Sequence, residues 1–218
     1  MRGIKLLAHQ INIIGCGPGS PDSLTIEAVK AVRTCLRLVG SQRLLGMFPW
    51  FTGEKIPIGA DMSSAVKMID EAREKGPVGV LVSGDPGLFS LARLVRNKFG
   101  SDICKNVPGI SSLQVAFARV GLDWSDARII TSHAQDPDSD VVSSLYSESK
   151  IAVFLGRSDS MNWVRSFLMT HPRKVKCLLF ENLSLEDENI SEIEAGCMSE
   201  IKVSSRSLLL VIDRGLLV

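Results

Sequence analysis

Three short turns hold most of the residues in this chain that could do chemistry: Gly15-Cys16-Gly17-Pro18-Gly19, Gly84-Asp85-Pro86-Gly87 and Pro108-Gly109-Ile110-Ser111-Ser112. Each follows a run of apolar, largely β-branched residues, so each reads as a polar turn delivered by a buried strand. Open α/β sheets bind ligands just outside the carboxyl ends of their strands. There the second turn offers a carboxylate and the third two hydroxyls. The first turn invites a dinucleotide reading, but its order is GxGxG instead of GxGxxG, and residues 36–40 bring no acidic side chain to hold a ribose. A plain strand-to-helix turn, or the backbone wall of a cleft for another ligand, are the readings left open. Of the three histidines, His133 lies at the end of a predicted strand, His171 reads as a loop residue beside Pro172, and His9 falls in the N-terminal tail. Cys16, Cys35, Cys104, Cys177 and Cys197 are scattered without a CxxC pair, which supports neither a disulfide framework nor a cysteine zinc site. They read as reduced thiols filling apolar space, and no metal ligand set is expected.

The elements that must position these turns follow from periodicity. With 45% hydrophobic and 22% charged residues the chain can bury a core, and a formal net charge of +1 gives no reason to expect a nucleic-acid or membrane-surface partner. The N-terminal tail runs into a strand without a cleavage site, and no apolar run approaches the roughly 20 residues of a spanning helix. A cytoplasmic protein is the expectation. Strands over residues 11–14, 36–40, 55–59, 78–82 and 103–107 alternate with helical stretches, which predicts a mostly parallel five-stranded sheet, with Pro57 marking an edge strand. Thr25 and Asp61 are predicted N-caps. A further helix is predicted to open at Pro86 with Asp85 as its cap, carrying Leu88, Leu91, Ala92, Val95 and Phe99 as its apolar stripe and closing at Gly100. Past residue 127 the spacing becomes unequal. Strands at 128–131, 151–155, 175–180 and 208–212, helices at 141–146 and 161–168, an acidic loop at 181–188 and possible strand pairing within 190–203 predict a second α/β domain with a mixed sheet. The predicted division is 1–108 and 109–218.

Taken together, the three turns, with Leu24-Thr25 behind the first, resemble the tetrapyrrole (precorrin) methylase family over residues 11–212. Within it the stretches Pro108 to Arg119, Gly121-Leu122-Asp123-Trp124-Ser125-Asp126-Ala127 running to Ser132-His133, and Phe180-Glu181-Asn182-Leu183-Ser184 are most similar to the branch that methylates C5 of cobalt-precorrin-7 in cobalamin synthesis. The chain has Ala134-Gln135 after His133, where members often carry Gly-Arg. The resemblance implies two α/β domains with an active-site cleft between them, a homodimer, a corrinoid tetrapyrrole substrate, and S-adenosylmethionine as methyl donor, leaving S-adenosylhomocysteine. It implies donor contacts at Pro18, Gly84, Asp85, Pro86, Leu88, Phe89, Ser111 and Ser112, and in the second domain at Phe154, Leu155, Asn182, Leu183 and Leu208. Gly15, Gly17 and Gly19 would face the tetrapyrrole.

Methyl transfer from a sulfonium needs neither metal nor covalent enzyme intermediate, so alignment is the protein's main task. The methylated ring must then lose a proton, for which His133 and Glu181 are the candidate bases. The lone tyrosine, Tyr146, reads as packing. A ring bearing several carboxylates calls for arginines, and Arg43, Arg119, Arg157 and Arg206 stand near predicted element ends. Cobalt would arrive inside the substrate. With the chain ending at Val218, the C15 methylation and decarboxylation of the bifunctional relatives would fall to a separate enzyme, which fits a cobalt-early, anaerobic route. The rival readings are another methylase of the same fold, including the diphthine-synthase-like and ribosomal-RNA branches, or a non-catalytic corrinoid- or nucleotide-binding module.

Overall fold

The computed structural model describes residues 9–157, 159–194, 196 and 201–216, in two units, Met1–Ser111 and Ser112–Val218. The first unit is built on five strands, β1 (Ile11–Gly15), β2 (Arg37–Gly40), β3 (Glu54–Pro57), β4 (Val78–Val82) and β5 (Cys104–Val107). All pair in parallel, in the order β3-β2-β4-β1-β5. Both β1 and β4 are buried at every position, as strands covered on two faces must be. Alternation then divides the core: Ile11 and Ile13 pack with Val39, Ile69, Val80 and Val95, whereas Ile14 packs with Val32, Leu38 and Phe48. Pro57 ends β3, which lies at the sheet edge where a missing amide donor costs no ladder bond.

Helices α1 (Ile26–Arg33), α2 (Gln42–Gly46), α3 (Met62–Arg73) and α4 (Ala92–Phe99) cover this sheet. Three have side-chain caps: Thr25 accepts from Ala28 N at 3.0 Å, Ser41 from Leu44 N at 3.5 Å, and Asp61 from Ser63 N and Ser64 N at 3.0 and 3.2 Å. The start of α4 differs from the sequence expectation. It begins at Ala92, not at Pro86, and Asp85 is not its cap. Phe89 has φ 44, a left-handed conformation that interrupts any helix. Ser90 closes the intervening turn, its hydroxyl donating to Pro86 O at 2.8 Å and accepting from Ala92 N at 3.2 Å. Leu88 therefore leaves the predicted stripe, while Ala92 and Val95 are buried and Gly100 ends the helix at φ 88.

In the second unit, α5 (Ser112–Val120), β6 (Arg128–Ser132), α6 (Ser139–Leu145), β7 (Lys150–Leu155), α7 (Ser160–Met169), β8 (Val175–Glu181), β9 (Asn189–Glu192) and β10 (Ser207–Asp213) follow in chain order. The sheet runs β6-β7-β10-β8-β9, parallel between β6 and β7 and antiparallel elsewhere. Ile151, Val153, Leu155, Leu179, Leu209 and Val211 meet Met161, Val164 and Phe167 of α7 in one core, and α5 packs against β10. β9 realises part of the pairing expected within 190–203; residues 197–200, with Cys197, lie outside the described residues. At the start of β7, Lys150 is 5% exposed, a costly place for an ammonium unless it is paired. Its Nζ donates to Asp123 O at 3.0 Å and to both Asp123 carboxylate oxygens at 3.2 Å, and it pairs with Asp126. The loop after α5 is thereby fixed to the sheet.

Candidate functional site

In the first unit the three turns meet backbone to backbone at the carboxyl ends of β1, β4 and β5. Gly17 N donates to Gly84 O at 3.3 Å and Gly84 N to Gly17 O at 2.8 Å, which bridges the first turn to the second. The third turn closes on both. A Cβ on Gly109 would sit 2.3 Å from Gly84 O and 2.7 Å from Gly15 C, and one on Gly15 would sit 2.7 Å from both Gly109 N and Gly84 O. Close approach requires glycine at Gly15 and Gly109, and φ values of 74 and 64 require it at Gly17 and Gly84.

Asp85 ties the junction together. Its Oδ1 accepts from Gly87 N at 2.7 Å and its Oδ2 from Gly109 N at 3.1 Å, so one carboxylate shapes its own turn and holds the third. Thr25 does the same from α1: besides capping the helix, its hydroxyl donates to Pro108 O at 3.2 Å. Sequence reasoning found the cap and missed this second bond, because a partner 83 residues away leaves no local signal. Ser111 is buried, whereas Pro18, Leu88 and Ser112 are half-buried and Phe89 is exposed.

Two side chains beside the junction set its electrostatics. Arg43, in the last turn of α2, donates through Nη2 to Ser83 Oγ at 2.8 Å, next to the second turn. Cys16 lies within the first turn, yet it is no nucleophile. Burial pushes its thiol up to about 12, against the smaller opposing effects of a hydrogen bond with the Val82 backbone and the nearby Arg43 charge.

The second unit gathers its own set at one end of its sheet. Because β6 and β7 are parallel while β10 runs antiparallel to β7 and β8, the carboxyl ends of β6, β7 and β8 and the start of β10 coincide. His133, Leu155, Glu181 and Leu208 are thus brought to a common edge, with Leu208 opposite both Phe154 and Phe180. Leu155 and Leu208 are buried, Phe154 is half-buried, and His133 is exposed. The His133 ring lies over Gly156, where a Cβ would come within 2.3 Å of Nδ1, and Nδ1 is 3.4 Å from Leu155 O. A carbonyl only accepts, so this contact places the ring proton on Nδ1 and leaves Nε2 as the basic nitrogen.

Beyond β8 the chain turns through Asn182 (φ 52) and Ser184 (φ 64), both left-handed and neither a glycine. Asn182 Nδ2 donates to Asp187 at 2.7 Å, which fixes the orientation of the amide, and Oδ1 is buried without a hydrogen-bond partner among the described residues. Leu183 is buried. Glu188 clamps this loop, accepting from Ser184 N at 2.6 Å and from Arg119 Nε and Nη2 at 2.8 and 3.2 Å. The hydrogen bond from Arg119 holds the Glu188 carboxyl below its usual range, and the same bond raises Arg119.

Arg119, expected from sequence to meet substrate carboxylates, holds Glu188 in a two-point contact in this structure. Glu181 is the last residue of β8, not a loop residue, and its Oε2 accepts from Asn189 Nδ2 at 3.2 Å. Arg157 is likewise committed, to Asp136 at 2.7 Å and Asp159 at 2.9 Å. Among the described residues no cluster of His, Cys, Asp or Glu could hold a metal ion, and no helix is long and apolar enough to cross a membrane.

Comparison with known proteins bears on this arrangement. A family model described as Tetrapyrrole (Corrin/Porphyrin) Methylases matches residues 10–196. Cobalt-precorrin-7 C(5)-methyltransferase of Salmonella typhimurium is 29% identical over 181 residues, covering 83% of this chain and 88% of the relative. The probable cobalt-precorrin-7 C(5)-methyltransferase of Methanocaldococcus jannaschii is 29% identical over 203 residues, covering 88% and 95%. Among solved structures, uroporphyrin-III C-methyl transferase from Thermus thermophilus, complexed with S-adenosylhomocysteine, superposes with a TM-score of 0.71 at 20% identity, covering 93% of this chain and 92% of that one.

Proposed function

This chain belongs to the tetrapyrrole (corrin/porphyrin) methylase family, and from that membership we propose that it methylates C5 of cobalt-precorrin-7, or of the metal-free intermediate of that type, with S-adenosylmethionine as donor. The observation that carries the reading is the junction of three glycine turns at the carboxyl ends of β1, β4 and β5. The choice of C5 is supported by the names of the two relatives that align along most of the chain.

The residues present suit such a donor. The junction is backbone brought closer than any Cβ allows, so a polar ligand can be met by peptide groups, and the buried Ser111 hydroxyl stands in the third turn. Pro18, Gly84, Pro86, Leu88, Phe89, Ser111 and Ser112 would hold it, with the glycines of the first turn toward the ring. Asp85 builds the wall with both carboxylate oxygens, and this structural task replaces the cap expected from sequence. In the second unit, Phe154, Leu155, Asn182, Leu183 and Leu208 are the positions for which family membership suggests donor contacts. The bound sulfonium supplies an already activated methyl group. Fixing donor and acceptor in line is worth on the order of 7 to 11 kcal/mol of barrier.

His133 would take the proton that the methylated ring must shed, at Nε2, the nitrogen its contact with Leu155 O leaves basic. Arg43, anchored to Ser83 beside the second turn, is the arginine we assign to a ring carboxylate. Incubation with S-adenosylmethionine and cobalt-precorrin-7, followed by mass spectrometry, should give a product heavier by one methyl group, and carbon NMR should place it at C5. A ring that binds without changing mass would overturn catalysis. Methylation at another carbon would overturn the choice of substrate position alone.

A further inference from the structure

Outside the junction, α4 borders a cavity of about 420 Å³ lined by Pro86 and Gly87 on one side and by Arg93, Arg96, Asn97 and Ser101 along the helix and just beyond it. The volume is within the range of small-ligand sites. Its lining carries two cations and no carboxylate. Arg93 and Arg96 are exposed, one helical turn apart, and make no ion pair among the described residues.

Helix electrostatics do not account for the pair. Arg96 near the end of α4 complements the terminal carbonyls, but Arg93 is the second residue of the helix, where the macrodipole disfavours a cation. An unpaired guanidinium there gains from an anion in the adjoining space. Two guanidinium forks with a side-chain amide and a hydroxyl alongside are donors suited to a carboxylate or phosphate group.

The geometry points to an anion subsite on α4 that takes a carboxylate arm of the substrate. The cavity shares Pro86 and Gly87 with the second turn, so a carboxylate held there lies beside the site proposed above and within reach of an arm of the ring that receives the methyl group. The identification of the arm rests on the function proposed above, since a tetrapyrrole intermediate carries acetate and propionate side chains. Free inorganic phosphate would satisfy the same donors, and the test separates the two.

Binding of an octacarboxylate porphyrin, followed by fluorescence quenching, is compared between the native chain and R93Q/R96Q, with calorimetry of S-adenosylhomocysteine binding as the second readout. Each guanidinium removed takes a charge-assisted hydrogen bond with it, so the double variant should lose at least 10-fold in porphyrin affinity and leave S-adenosylhomocysteine affinity unchanged. Equal porphyrin affinity in both proteins would overturn the subsite while leaving the proposed function standing. Failure of the native chain to bind either S-adenosylhomocysteine or the porphyrin would overturn the proposed function. In a third arm, arginine side-chain NMR signals are followed as inorganic phosphate or citrate is added. Shifts at Arg93 and Arg96 without porphyrin binding would overturn the carboxylate arm as the ligand, and no shift with any of the three probes would overturn the anion site itself.

Discussion

Asp85 and Gly109 show how much of the site hangs on single residues. Both carboxylate oxygens of Asp85 receive backbone amides, from Gly87 and Gly109. Asp85→Asn must turn an NH2 toward one of them, so it leaves a donor facing a donor. We expect a loss of about 1–3 kcal/mol in unfolding free energy, read by denaturant titration, and weaker S-adenosylhomocysteine binding by calorimetry. An Asn variant with native stability and affinity would show that the link between second and third turns is idle. Gly109→Ala is the harsher change, because its Cβ would sit 2.3 Å from a carbonyl oxygen of Gly84 that cannot swing away. We expect it to lose donor binding. Gly59→Ala is the control: nothing lies within 4 Å of the added carbon, and the variant should be neutral or more stable by roughly 0.4–1 kcal/mol through the unfolded chain. These positions were legible from sequence, since a glycine after a buried strand signals a local backbone need.

Elements are legible only so far as their determinants are local. The alternation of strands and helices in the first unit, its edge strand at Pro57 and the mixed second sheet follow from periodicity and turn residues. The start of α4 does not. Pro86 suits a first helical turn, but Phe89 adopts a left-handed conformation and Ser90 holds the bend, so the helix waits until Ala92. Nor does the clamp of Arg119 on Glu188, whose partners are 69 residues apart in sequence and meet only after the sheet has formed. That clamp governs the loop bearing Asn182 and Leu183, which carries two left-handed residues that must be held against relaxation. Glu188→Gln should weaken the hold on Ser184 N and Arg119 together. We expect faster amide exchange over residues 182–188, and a KM for the donor raised several-fold with little change in kcat, since the clamp positions the loop without touching the reacting atoms. Native exchange rates in that variant would remove the clamp from the account.

At the scale of the molecule, the carboxyl groups held below their usual range among the described residues fall in one unit. Glu188 is held down by hydrogen bonding to Arg119, Asp159 by hydrogen bonding to Arg157, and Asp123 by Ser125 and then Lys150; all three lie within Ser112–Val218. A carboxyl whose folded pKa is depressed adds stability that is present above its unfolded value, about 4, and is lost as pH falls through the folded value. Acid should therefore loosen the second unit before the first. Asp123 and Asp159 are largely exposed, so their share is screened and small, and Glu188, with its side chain 20% exposed, carries most of the effect. The tryptophans allow the two units to be read apart, because Trp50 lies in the first, while Trp163 lies in the second and donates to Ser132 Oγ at 2.9 Å. With Trp124 and one of the other two replaced by Phe, the chain retaining Trp163 should show its acid transition at higher pH than the chain retaining Trp50. Adding Glu188→Gln should draw the two transitions together, as the Trp163 transition loses the part of its pH dependence that Glu188 supplies. An earlier transition at Trp50 in the parent single-tryptophan chains would place the acid-sensitive contacts in the first unit, and coincident transitions would show that neither unit loosens first; either result would overturn the assignment.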